Sequence, residues 1–175
     1  GGEQLAPAVD NGDRLYRWPG QTIGYTMITP QGWEFHFQRV SSPKFRMLEV
    51  RDGQGAYWTL SHDANGKITK IENPYGRFIE ITRGTVSGVE CITSVATSDG
   101  REVTYSYDTW SPTGKPVLVG VGYPGTEAAS YTWVGADSET TGRPLLASAH
   151  DPMDGGPNSV MGFEYNYDAI FEFDG

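Results

Sequence analysis

"DGREVTYSYD", residues 99–108, is the stretch from which the fold can be read. It opens on Asp-Gly, a pair suited to a tight turn that needs positive φ. Behind the turn, Val103, Tyr105 and Tyr107 alternate with Glu102, Thr104 and Ser106. A period of two places the large residues on one side of a strand and the polar ones on the other. "MGFEYNYD", residues 161–168, nearly repeats the segment.

The same outline recurs along the chain. In "GAYWTLSHDANGKITKIENP", 55–74, a glycine is followed by Trp58 and Leu60, the turn "DANG", a second arm with Ile68 and Ile71, and a closing Asn-Pro. The equivalent pairs are Phe35 and Phe37 with Met47 and Val50, Ile79 and Ile81 with Ile92 and Val95, Tyr105 and Tyr107 with Leu118 and Val121, and Tyr131 and Trp133 with Leu146 and Ala149. The units open at Gly32, Gly55, Gly76, Gly100, Gly125 and Gly156, and their lengths differ mainly at the central turn, where a loop grows at little cost. Each unit reads as a β-hairpin, with Gly66 supplying the positive φ of "DANGK". No stretch holds a 3.6 period, so the expected fold is all-β, an array of antiparallel β-hairpins. Residues 1–30 form a strand-prone segment of weak repeat character, 31–168 about six hairpin repeats, and 169–175 an edge strand or tail. Tyr105 and Tyr107 are expected to stack along a ladder of equivalent aromatics. Asp108 is expected to cap the following turn.

Composition narrows the function. The 175 residues are 37% hydrophobic and 13% aromatic, too apolar for a disordered chain. A net charge of −9 repels a nucleic-acid backbone, so no nucleic-acid partner is expected. Cys91 is the single cysteine, which excludes an intrachain disulfide; in "VECITSV" it reads as a core thiol. No apolar run approaches the ~18 residues of a spanning helix, so no membrane span is expected.

The candidate chemistry is sparse. His36, His62 and His150 lack metal-ligand spacing, and there is no nucleophile elbow, phosphate loop or dinucleotide motif. Glu34, Glu49, Glu80, Glu102, Asp137 and Asp154 read as solvated charge on alternating strands. Asp63 and Asn65 begin a calcium-like loop but lack its distal ligands, so they read as turn residues. No catalytic residue, cofactor or metal is expected. Of the tryptophans, Trp18, Trp33, Trp58 and Trp133 read mostly as packing residues. Trp110, in "DTWSPTGK", reads as an exposed aromatic contact for a surface partner such as a carbohydrate.

The assembled pattern, an aromatic first arm ending Tyr-x-Tyr-Asp, a turn, Gly-Arg or Gly-Lys, then Ile/Leu-x-x-Val/Ile and a closing Asp-Pro or Asp-Gly, resembles the YD repeat of RHS and teneurin proteins over about residues 30–168. Tyr105, Tyr107, Asp108, Tyr165, Tyr167 and Asp168 match its name-giving positions; Gly66, Lys67 and Ile68 match its entry into the returning arm, and Gly100 opens the best unit. Leu60 and His62 stand where tyrosines are expected. "DPMDGGPN", 151–158, is partly similar to the family's shell-closing segment, but Asp151 and Asp154 read as turn residues. The resemblance implies a secreted or cell-surface protein whose hairpins join edge to edge into a curved β-wall, part of a β-shell or an open, solenoid-like layer. It implies a non-enzymatic structural role in encapsulation, assembly or adhesion. The partner it implies is the rest of a larger shell. Apart from the resemblance, the open edges of a hairpin array predict a second copy adding strands there, and the tryptophans give a carbohydrate- or surface-binding β-sheet module as the alternative.

Overall fold

A computed structural model describes residues 2–5, 12–18, 24–41, 44–111, 113–135, 143–150 and 160–163. It confirms the all-β reading. The strands are β1 (Glu3–Leu5), β2 (Arg14–Trp18), β3 (Gly24–Ile28), β4 (Glu34–Ser41), β5 (Lys44–Arg51), β6 (Tyr57–His62), β7 (Ile68–Glu72), β8 (Phe78–Val86), β9 (Val89–Thr97), β10 (Glu102–Trp110), β11 (Lys115–Gly122), β12 (Ala129–Gly135), β13 (Pro144–His150) and β14 (Val160–Gly162). No helix occurs among the described residues. The 14 strands form an antiparallel sheet in which each pairs with its neighbours in sequence. β1 and β14 stand at the two ends of that order, so the sheet is not closed into a barrel. The N-terminal segment supplies β1, β2 and β3.

The chain divides into two compact units, Gly1–Ile81 with Ala96–Gly100, and Thr82–Val95 with Arg101–Gly175. In the first unit three turns share one construction. Asp52 Oδ1 accepts the Gln54 and Ala56 amides, Asp63 Oδ1 those of Asn65 and Lys67, and Asn73 Oδ1 those of Tyr75 and Arg77, all at 2.8–3.0 Å. Gly55, Gly66 and Gly76 then donate back to the carbonyls of Asp52, Asp63 and Asn73, at 3.0, 3.0 and 3.1 Å. These glycines need the left-handed region, with φ of 90°, 84° and 77°. The sequence repeat sees this as its opening glycines. Gly32, Gly55, Gly76 and Gly100 each follow an odd-numbered strand, so they join successive hairpins, whereas Gly66 lies at a hairpin's own tip.

The returning arms share a second device. Phe37 pairs with Met47 although His36 pairs with Glu49; His62 pairs with Ile68 although Ser61 pairs with Lys70. In the second unit, Tyr107 pairs with Leu118 after Ser106 with Gly120, and Trp133 with Leu146 after Thr132 with Ser148. Leu48, Thr69, Val119 and Ala147 are therefore extra residues, each a β-bulge on the returning strand. This explains the spacing of three in Met47/Val50, Ile68/Ile71, Leu118/Val121 and Leu146/Ala149. A regular strand would turn one member of each pair to the opposite face. The inserted residue returns both to the same side.

Burial is modest. Among the described residues Leu60, Val117, Val121 and Ala129 are the buried apolar ones, while Trp18, Trp33, Phe45 and Ile79 remain about two-fifths exposed at 43%, 39%, 44% and 42%.

Candidate binding surface

In the first unit the strand register sorts residues by face, because directly paired residues share one. Leu15, Met27, Phe35, Val50 and Trp58 form one continuous cross-strand row. Arg17, Tyr25, Phe37 and Met47 form the next row on the same face. The opposite face carries Tyr16, Thr26, His36, Glu49, Thr59 and Glu72 in register.

The apolar face holds an open pocket of about 390 Å³ lined by Leu15, Tyr25, Phe37 and Phe45. Tyr25 and Phe45 meet edge to face, with ring centroids 5.0 Å apart at 86°. Trp33 stacks on Trp58 at 6.2 Å and 13°. Next to Trp33 in sequence, two turns come close together. A side chain on Gly53 would come within 2.9 Å of the Gln31 carbonyl oxygen, so only glycine fits. A smaller groove of about 200 Å³ lies beside Trp58, lined also by Ile71, Asn73, Arg77, Phe78 and Ile79.

The polar face is a hydrogen-bonded network. The Trp18 indole donates to Thr26 Oγ1 at 3.0 Å, Thr26 Oγ1 lies 3.2 Å from His36 Nδ1, and His36 Nε2 lies 3.3 Å from Glu34 Oε2. A proton on Nε2 makes the bonds run one way from indole to carboxylate. Thr26 is only 5% exposed and its oxygen already accepts the indole, so this hydroxyl is placed to link strands rather than to attack a substrate. Nearby, Arg51 donates to Glu49 at 2.8 Å, a bond that raises the guanidinium pKa further.

The second unit positions its aromatics differently. Tyr107 Oη donates to the Ile92 carbonyl at 2.8 Å, and Trp133 Nε1 donates to the Leu118 carbonyl at 2.7 Å. Both donors sit immediately after a bulge, and each reaches back 15 residues to the preceding strand. Burial, then Cys91 and Tyr105, raise the Tyr107 pKa.

The sequence-derived residues fall as follows. Val103, Tyr105 and Tyr107 are half-buried while Glu102, Thr104 and Ser106 are exposed, so the two faces of β10 are as expected. The aromatic ladder is corrected: across the strands Tyr105 meets Val121 and Tyr107 meets Leu118, both aliphatic. β10 and β11 belong to one hairpin, so the residue facing each tyrosine comes from the aliphatic returning arm. Asp108 is also corrected. It lies within β10 opposite Val117, and its Oδ1 accepts the adjacent Thr109 amide at 2.7 Å. The turn starts after Trp110, whose carbonyl accepts Gly114 N at 2.8 Å. Trp110 itself is a half-buried strand residue, so the more exposed tryptophans are Trp18 and Trp33. Cys91 is half-buried rather than buried. Gly66 and Gly100 have the positive φ expected of turn glycines, both 84°. Asp63 spends its oxygen on its own turn. Tyr165, Tyr167, Asp168, Asp151, Asp154 and the 169–175 tail lie outside the described residues.

Sequence reading passed over the bulges and the Thr26–His36–Glu34 network. The first had a visible signal in the spacing of three; the second had none, since it joins strands whose register no local pattern states. Compared with known proteins, the chain matches no family model, and no curated protein matches it.

Proposed function

We propose that the chain is a non-enzymatic wall segment of an extracellular or cell-surface protein of the YD/RHS type, used for encapsulation, assembly or adhesion. The observation that carries this reading is the repetition of one bulged hairpin four times, with equivalent aromatic and aliphatic residues at each bulge. Such a unit adds strands sideways without needing a second layer. The half-exposed apolar face supports the same reading, because a wall has an inner side that its cargo or neighbouring wall covers. Among the described residues β1 and β14 end the strand order, which favours continuation by further strands, from the same protein or a second copy.

Sedimentation of the full chain over a wide concentration range tests this. Assembly that weakens when residues 169–175 are deleted supports head-to-tail strand addition. A strictly monomeric chain at high concentration counts against it.

The stacked Trp33–Trp58 pair gives the carbohydrate-binding alternative a specific basis, since Trp33 is 39% exposed on it. Glycan-array binding lost in Trp33→Ala but kept in Trp110→Ala would move the function to that class.

A further inference from the structure

The Leu15–Tyr25–Phe37–Phe45 pocket is apolar, but its surroundings are cationic. Arg17 pairs directly with Tyr25, and Arg39 directly with Phe45, so both arginines share the pocket's face. Lys44 precedes Phe45 in β5 and so lies on the other face, leaving the two arginines as the pocket's cations. Among the residues whose side chains are described, no carboxylate forms an ion pair with Arg39. Glu3 is the cross-strand partner of Arg17, which leaves Arg39 as the clearer free charge. The carboxylates of β4 and β5, Glu34 and Glu49, are engaged by His36 and Arg51 on the opposite face. On a chain of net charge −9, an aromatic pocket with a cationic rim is a selective feature. It suits an occupant that is both aromatic and acidic.

The chain contains such a segment. Residues 164–175, "EYNYDAIFEFDG", have four carboxylates, no base and four aromatic rings. They lie outside the described residues, beyond β14. We infer that the pocket of one copy receives the 164–175 segment of a second copy, with its aromatic rings on Tyr25, Phe37 and Phe45 and its carboxylates near Arg39 and Arg17. The inference deepens the assembly part of the proposed function. It assigns the contact to side chains on the sheet face, where the edge model assigns it to backbone alone.

Photo-cross-linking of the full chain tests it. A benzophenone analogue of phenylalanine replaces Phe45, and isotopically heavy and light copies are mixed, so that links within and between chains are told apart by mass. The expected product joins position 45 to the 164–175 segment of the other isotope. Its yield falls by about fivefold or more in Arg39→Glu and in high salt, where a rim charge is screened. Combining Arg39→Glu with Glu172→Lys and Asp174→Lys restores it, which a misfolded variant could not do. Lys115→Glu, which changes a cation of the other unit, leaves the yield unchanged. Links confined to single chains, links to other segments, or a yield indifferent to Arg39 each overturn the inference. Sedimentation of the same mixture separates two failures: assembly without the cross-link sinks this contact alone, whereas a monomer without it sinks the assembly reading as well.

Discussion

The β6–β7 and β10–β11 hairpins have one backbone plan and two sets of side chains. In both, the residue after the bulge faces an aliphatic partner, His62 facing Ile68 and Tyr107 facing Leu118. Tyr107 extends beyond its own hairpin and bonds the Ile92 carbonyl. His62 makes no such reach. Burial and the nearby Arg46 charge lower its pKa instead. The difference teaches that the bulged frame does not depend on a tyrosine. The frame follows from apolar pairs three apart on the returning arm, and the aromatic residue decides whether one hairpin is tied to the strand before it.

The sharpest way to break this comparison is to remove the bulge. Deleting Val119 or Thr69 should cost about 2–4 kcal/mol in either hairpin, as one apolar residue of the returning arm is turned off its face. Urea unfolding would measure it, and a loss below ~1 kcal/mol would show that the bulge is incidental.

Next in size is the turn. Gly66→Val should cost about 1–3 kcal/mol, because φ of 84° is strained for a β-branched residue. Space is available there, with only the Arg46 guanidinium near, at 3.8 Å, so the loss would come from the backbone alone.

Tyr107→Phe and Trp133→Phe sharpen the aromatic half of the comparison. Each removes one donor to a neighbouring carbonyl, so the hydrogen-bond loss should be about 1 kcal/mol in each, with a further packing loss for Trp133. His62→Phe should cost less than Tyr107→Phe, since no bond of this kind is lost. Equal losses would dissolve the distinction.

The smallest effect is in pH dependence. His62 has a lowered pKa in the folded chain, so the unfolded chain binds the proton more readily. Stability from this residue is present above its unfolded pKa, near 6.5, and is lost as pH falls through that value towards the folded one. Midpoints of urea unfolding between pH 7.5 and pH 5, on the order of the His range, should therefore drop more steeply in the native chain than in His62→Gln. The reverse slope would refute the desolvation of His62.

Local chemistry made much of this fold legible. Period-two alternation in 102–107 gives a strand with two unlike faces, and Asp-x-x-Gly or Asn-x-x-Gly at 52, 63 and 73 gives turns whose side-chain caps close within five residues. Such signals need only neighbours in sequence. Asp108 and Trp110 were misplaced for the same reason: Asp-x-x-Ser-Pro looks like a turn locally, yet pairing with Val117 and Lys115 extends β10 through Trp110.

What the sequence alone determined is the hairpin, its turn glycines and the spacing that requires a bulge, because each is fixed by backbone sterics and the side-chain period over a few residues. Tertiary structure alone decided which rows meet across strands. It set Thr26 against His36 and Glu34, tied Tyr107 to Ile92 in place of an aromatic ladder, and gathered Leu15, Tyr25, Phe37 and Phe45 from four strands into one pocket beside Arg39. Those contacts depend on inter-strand register, and register is settled by the summed pairing of whole strands.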